Sequence, residues 1–385
     1  MRRHGAPVWE EKTGAWVVAD FDAAKRVLLD RDAFLPIAPA EAVPDQKYVR
    51  IFGEKHPSAL LGAEHAEHHK WWLKHLSPKL IAGWRTGLIL DVVDEIIGRI
   101  APRGRAELVD EFAGPVPIRV IAGVLGLPWD DDAWMEELRH HLDVIDQFKD
   151  ISYVGSQDSS MADQALDATY AADELLRPYL EAGRSVESES VLSQIWRDPS
   201  LSHWTDEQLY CLVRGFFGGG AETTRSALSN GLYLALTRPG LRDELQAGGE
   251  RAMAAFVEET MRLFGTVHYR TRRVAHDLEL DGVELKAGAM IASIMAAGDR
   301  DPERFERPDE VDLGRANGRQ HLAFGIGVAA CAGAGLARAE LTVGMSRILE
   351  RLPDIALDPD AEQPQLLGFG FRVMRPIHVT FSPGA

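Results

Sequence analysis

One thiol in this chain stands where a metal ligand would stand. Cys331 lies in Phe324-Gly325-Ile326-Gly327-Val328-Ala329-Ala330-Cys331-Ala332-Gly333, a glycine-rich loop that runs directly into an apolar-periodic segment from Leu336 to Leu352. Gly325, Gly327 and Gly333 can adopt positive φ and let the backbone approach the sulfur, and the N-terminus of the following helix stabilises negative charge there. A buried thiolate that accepts hydrogen bonds from backbone N–H groups suits an axial haem ligand. The competing reading is a structural cysteine in a turn.

A second constellation sits on a helix. Thr205-Asp206-Glu207-Gln208 has the form of a capping box, and apolar residues continue at helical spacing to Leu236 before Pro239 ends the run. The middle of this helix carries Gly218-Gly219-Gly220-Ala221-Glu222-Thr223-Thr224, although an interior glycine costs about 1 kcal/mol relative to alanine. Thr223 and Thr224 stand four residues after Gly219 and Gly220, so their hydroxyls can bond those carbonyls while the missing side chains leave a notch. A notch lined by a carboxylate and hydroxyls suits proton delivery to bound dioxygen, with Glu222 relaying protons from solvent and Thr223 holding a water or the oxygen. Close approach of another helix at the glycines explains the same residues.

A third signal is Glu259-Thr260-Met261-Arg262, where a carboxylate and a guanidinium three residues apart share a helix face within the apolar run from Phe256 to Leu263. An exposed pair of this kind contributes little.

Taken together, the motifs resemble the cytochrome P-450 family. Phe-Gly-x-Gly-x-x-x-Cys-x-Gly is similar to its haem-binding loop, Gly219 to Thr224 to its dioxygen-activating helix, and Glu259/Arg262 to its Glu-x-x-Arg pair. Gly298-Asp299-Arg300-Asp301-Pro302 and His321-Leu322-Ala323-Phe324 extend the likeness. The resemblance implies a mainly α fold, a large helical domain with small β-sheets, spanning 1–385 as one domain. It implies haem b (iron protoporphyrin IX) with Cys331 as the iron ligand, and contacts from Phe324, Gly325, Gly327, Gly333 and His321. It makes Gly219, Gly220, Glu222 and Thr223 the oxygen-activating residues. Glu259 and Arg262 become a buried support for the cysteine loop, joined by Arg315 from Val311-Asp312-Leu313-Gly314-Arg315, which has valine where the family has phenylalanine. Haem propionates are expected on Arg272, with Arg273 as the adjacent alternative, and on His65. His69 and Ala329 replace residues that are arginine, or histidine or arginine, in the family. These two departures imply fewer ionic contacts to haem and a retention that depends on the protonation of His69.

Size and composition fit this reading. The chain has 385 residues, 45% hydrophobic and 26% charged, as expected of a folded globular enzyme. With 59 acidic against 42 basic residues the net charge is −17, which disfavours nucleic acid and anionic membrane surfaces. No apolar run is long enough to span a bilayer and no apolar stretch follows Met1 to Gly5, so the expectation is a cytoplasmic protein with no membrane anchor. Cys211 and Cys331 are too few for a disulfide framework or a four-cysteine zinc site. His65, His68, His69 and His75 could chelate zinc from one helix, but no cysteine or carboxylate set completes them.

The elements that must position these residues follow from periodicity. Short strands are expected at 7–9 and 14–18, helices at 21–29, 63–76, 88–100, 115–125, 130–148, 160–180, 205–236 and 241–263, a hairpin around Asp281-Gly282, and a small sheet within 369–381. From Phe34 to Leu61 periodicity is lost and prolines gather, which predicts a long functional loop. The family position of this loop, of 146–167, of Val267 to Tyr269 and of Leu366 to Phe371 implies a substrate pocket, with His268, Tyr269 and Arg270 as a possible polar anchor.

The function implied is oxidation, above all hydroxylation, of a small organic molecule. Electrons would come from a separate ferredoxin or flavodoxin with a reductase, docking at Lys70, Lys74 and Lys79. Two rivals remain: the same chemistry used for coupling, desaturation or ring formation without oxygen insertion, and a haem-binding protein without turnover.

Overall fold

The structure, a computed structural model, describes residues 6–37, 46–53, 60–153, 159–188, 190–368 and 370–383. It is helix-dominated with small sheets. The helices are α1 (Phe21–Leu29), α2 (Gln46–Phe52), α3 (Gly62–His75), α4 (Pro78–Thr86), α5 (Leu88–Ile100), α6 (Pro115–Leu125), α7 (Asp132–Tyr153), α8 (Ser159–Ser185), α9 (Val191–Ile195), α10 (Asp206–Thr237), α11 (Leu241–Phe264), α12 (Met295–Gly298) and α13 (Ala334–Arg351). Strands β1 (Val8–Glu10), β2 (Ala15–Val18), β3 (Phe34–Pro36), β5 (Arg270–Val274) and β8 (Met290–Ser293) form one sheet in the order β1-β2-β8-β5-β3. Strands β4 (Arg105–Glu107), β12 (His378–Thr380) and β9 (Ala356–Leu357) form a second sheet. The pairs β6/β7 (Leu278–Leu280, Val283–Leu285) and β10/β11 (Gln365–Leu367, Val373–Arg375) complete the set.

The periodic helices form because each buries one apolar stripe. In α5 the stripe is Ile89, Val92, Val93, Ile96, Ile97 and Ile100, and it joins a core with α6, α10, α11 and α13. At roughly 1.5–3 kcal/mol per fully buried large aliphatic side chain, this shared core is the main stabilising term. A smaller core lies between α1 and the five-stranded sheet, around Val18, Phe21, Val27, Ile291 and Phe305. The capping box of α10 is complete: the Gln208 N–H donates to Thr205 Oγ1 at 3.3 Å, and the Thr205 N–H donates to Gln208 Oε1 at 3.0 Å.

Some expectations require correction. The stretch from Phe34 to Leu61 holds β3 and α2 as well as loop, and 38–45 and 54–59 lie outside the described residues. So do 154–158 of the expected pocket region 146–167, Phe369, and Met1 to Gly5. Helix α4 was not expected; none of its residues is buried, so no apolar period marks it. The run 241–263 is interrupted at Gly249, whose φ of 55° and ψ of −142° break the helix in two. Among the described residues, no helix is long and apolar enough to cross a membrane.

Candidate active site

Cys331 sits just ahead of α13. Its N–H donates to the Phe324 carbonyl at 2.8 Å, and the Gly325 N–H donates to Leu322 O at 2.7 Å, folding the loop back on itself. Gly325 and Gly327 have φ of 67° and 69°. A side chain at Gly327 would also meet Leu29 Cδ2 at 2.7 Å, but that exposed leucine tip can move, so the positive φ is what requires glycine there. The N–H groups of Gly333 and Ala334 reach the sulfur, yet burial outweighs them and pushes the thiol pKa up. The residue itself is solvent-accessible. Cys331 is therefore largely enclosed by protein with one side open, the side from which an iron would reach the thiolate.

Whether haem fits here can be judged from the charges around the recess. Arg270 acts on Cys331 from β5. Arg272 shares that face of the strand by period-two alternation. Burial first, then Arg270 and Arg31, lowers Arg272 to about 10, and its Nε is buried with no hydrogen-bond partner among the described residues. Arg31 Nη1 lies 3.5 Å from His65 Nδ1, and burial, Arg31 and His69 lower the His65 pKa. Like charges crowded at a buried edge call for an anion, and a porphyrin's two propionates supply one. The residues fit haem, with Cys331 to ligate iron and Arg31, His65, Arg270 and Arg272 to hold carboxylates.

Arg31 was not anticipated, and Arg270 was expected only as a polar anchor in the substrate pocket; they come from the turn after α1 and from β5, remote in sequence from His65. Arg273 falls on the opposite face of β5 from Arg272, whereas Arg270 shares the Arg272 face. His69 is corrected as well. Its Nε2 lies 2.9 Å from the Ala330 carbonyl, and its ring stacks on His65 at 5.7 Å, so it ties α3 to the cysteine loop. Arg31 and Arg270 add two cations near His65 and Arg272 beyond the propionate contacts named from the sequence. His68 stacks on Trp204 instead of joining His65 and His69, and among the described residues no group of three potential ligands could hold a metal ion.

On α10 the glycines divide. A side chain at Gly220 would strike Ile121 Cδ1 at 2.8 Å, so this glycine allows α6 to approach. Gly218 and Gly219 face open space. Thr223 Oγ1 donates to Gly219 O at 2.7 Å, as expected, while Thr266 Oγ1 donates to Thr223 O at 3.0 Å. Thr224 is buried. Glu222 is turned out of the notch: its carboxylate pairs with Arg225 at 2.5 Å, accepts from Ser226 Oγ at 3.4 Å, and lines a cavity with Ile118, Arg139 and Asp143. Burial pushes Asp143 up. A proton passing through Glu222 must therefore first see the Arg225 pair loosen.

Behind the cysteine loop, Arg262 and Glu259 are fully buried and joined by two bonds of 2.8 and 2.9 Å. Arg262 also donates to the carbonyls of Asp299, Pro308 and Glu310. All five of its N–H groups are used. Arg315 Nε donates to Glu259 Oε1 at 3.0 Å and the Asp312 N–H to Oε2 at 2.9 Å, completing the expected triad. The Asp299 carboxyl, pushed well up by burial, accepts from the Leu322 N–H at 2.6 Å.

His321 belongs to this support and not to the cofactor set. Its Nε2 lies 3.1 Å from Glu258 Oε2, and its Nδ1 accepts from the Ala323 N–H at 3.3 Å, which leaves neither nitrogen for haem. The Phe324 ring, expected against haem, lies under the Arg338 guanidinium at 4.5 Å. Lys74, a proposed partner contact, is paired with Asp198 at 2.8 Å.

Comparison with known proteins places this arrangement. Residues 188–375 match the family described as Cytochrome P-450. Among curated proteins, the chain is 31% identical over 363 residues to the cytochrome P-450 monooxygenase PikC of Streptomyces venezuelae, covering 89% of this chain and 79% of PikC. It is also 31% identical over 378 residues to cytochrome P-450 105C1 of a Streptomyces species, covering 94% and 89%. Among solved structures, CalO2 superposes with a TM-score of 0.87 at 22% identity, covering 100% of this chain and 94% of that one. The hydroxylase HmtN, involved in himastatin biosynthesis, superposes with a TM-score of 0.83 at 22% identity, covering 99% and 95%.

Proposed function

The chain belongs to the cytochrome P-450 family, and from that premise we propose a haem-thiolate monooxygenase that hydroxylates a small organic molecule with electrons from a separate ferredoxin or flavodoxin and its reductase. The observation that carries the reading is the recessed, accessible Cys331 sulfur with two backbone N–H groups beneath it and like-charged side chains gathered at its rim.

Bound haem, here taken as haem b, supplies one-electron and dioxygen chemistry at its iron. Cys331 offers the thiolate, since a coordinating thiol gives up its proton outright. The Gly333 and Ala334 N–H groups withdraw density from that sulfur and so temper its donation. Arg31, His65, Arg270 and Arg272 orient the porphyrin edge. Gly218 and Gly219 keep side chains out of the space that a small ligand needs. Thr223 holds its hydroxyl at the notch by donating to Gly219 O, so its lone pairs accept from water there. Glu222 moves protons toward that hydroxyl once Arg225 releases it.

Reduced protein treated with carbon monoxide should show the absorption band of sulfur-ligated iron, and Cys331→Ala should abolish it. Turnover under labelled dioxygen should place one label in the product. Absence of the band in the natural protein defeats the reading, and label-free product with reductant consumed shifts it to oxidation without insertion.

A further inference from the structure

Glu258 and Glu259 are adjacent on α11 and hold different parts of the molecule. Glu259 grips Asp312 and Arg315 and, through Arg262, the segment from Asp299 to Glu310, whereas Glu258 grips the chain on both sides of the cysteine. Upstream, its Oε2 meets His321 Nε2 at 3.1 Å, and the other nitrogen of that ring accepts from Ala323 N–H. Downstream, Arg338 of α13 binds it through two bonds, Nε to Oε1 at 2.7 Å and Nη2 to Oε2 at 3.0 Å. That guanidinium then lies over the Phe324 ring at 4.5 Å, and the Phe324 carbonyl accepts the N–H of Cys331 itself at 2.8 Å.

We infer that Glu258, His321 and Arg338 form a clamp that positions the Cys331 sulfur as an axial ligand, Glu258 being its positioning residue. The inference rests on the proposed haem-thiolate function. The carboxylate is buried; despite that burial, His321 and Arg338 hold its pKa down at about 2, so it carries its charge throughout the working range. A buried anion clasped by a bidentate guanidinium and an imidazole is directional, and it resists rotation of Phe324 and sliding of 321–324 against α13. Arg319, 3.4 Å from the same carboxylate but 74% exposed, adds little.

The test uses haem-loaded protein. Glu258→Gln retains the shape and one acceptor but loses the charge, and Arg338→Lys retains the charge but loses the fork and the ring contact. Both should lose the sulfur-ligated carbon monoxide band roughly 10- to 100-fold faster than the natural protein, the range typical of outer-shell changes at metal sites. Both should also shift the haem midpoint potential, which a purely structural defect behind the loop leaves in place. Arg319→Gln should match the natural protein on both counts. If Glu258→Gln does not take up haem, Arg338→Lys and His321→Gln give the same reading with the carboxylate intact. Natural rates of band loss and an unshifted potential in Arg338→Lys and His321→Gln overturn the clamp while leaving the monooxygenase reading standing. A natural protein without the sulfur-ligated band defeats that reading instead.

Discussion

The two sides of Cys331 are built on opposite electrostatic plans. Behind it, buried charges meet their opposites, Glu259 with Arg262 and Arg315 and Glu258 with Arg338, while His321 adds a hydrogen bond to Glu258. In front, Arg31, Arg270, Arg272 and His65 act on one another as like charges, and a buried Arg272 nitrogen has no hydrogen-bond partner among the described residues. The fold itself pairs the rear charges. The front gathers like charges, which suits the anionic edge of the cofactor under the proposed function. Loss of a rear residue should therefore cost folding, and loss of a front residue should cost cofactor affinity.

The largest expected effect is at Arg262. Arg262→Ala leaves the Glu259 carboxylate with only Arg315 and the Asp312 N–H and strips a donor from three interior carbonyls; breaking a buried pair costs up to about 3–5 kcal/mol, a large part of a typical folding free energy. Thermal melting followed by circular dichroism should drop sharply with and without haem. A natural melting curve would place the triad outside the fold's foundations and erase the contrast between the two sides.

Arg272→Ala sharpens the comparison from the front. Charge-assisted hydrogen bonds contribute roughly 1.5–3 kcal/mol each, so haem should transfer to a scavenging globin about 10- to 100-fold more readily. The haem-free variant should melt no lower than the natural haem-free protein, because a buried cation repelled by Arg270 and Arg31 has been removed. A variant less stable without haem but unchanged in haem retention would reverse the assignment.

The rear was the more legible side. Glu259 and Arg262 are three residues apart on one helix, so their pairing follows from helical geometry alone, and α5 and α6 have the limits their apolar period predicts. Gly325 and Gly327 follow from the turn that Cys331 needs. The front depends on contacts between remote segments. Arg31 comes near Arg272 because β3 pairs with β5, and a three-residue strand leaves too short a pattern to read. Glu222 shows a different limit: helical spacing puts it beside Thr223 but cannot say that its rotamer turns toward Arg225. Glu258 was hidden by its neighbour, since both carboxylates follow Val257 and only the fold separates their partners.

The smallest expected effects are in pH, and here the two sides should differ in window and in dependence on haem. Glu258 has its pKa lowered to about 2 by His321 and Arg338 against the burial that raises it, while in the unfolded chain a glutamate titrates near 4.3. The unfolded state therefore binds the proton first. Stability from Glu258 is full above that value and is lost as pH falls toward about 2. His65 is also lowered, by burial first and then by Arg31 and His69, from an unfolded value near 6.5. Here too the unfolded state takes up the proton first, so haem-free protein should lose stability as pH falls below that value. A bound propionate beside His65 favours the imidazolium and reverses the sign, whereas Glu258 is held by His321 and Arg338 behind the cysteine loop, away from the propionate rim. Melting curves from about pH 7.5 down to about pH 2 for natural protein, Glu258→Gln and His65→Gln, each with and without haem, should show a Glu258 difference that haem does not alter and a His65 difference that haem cancels or inverts. If haem leaves the His65 difference unchanged, the cationic rim does not face the porphyrin edge.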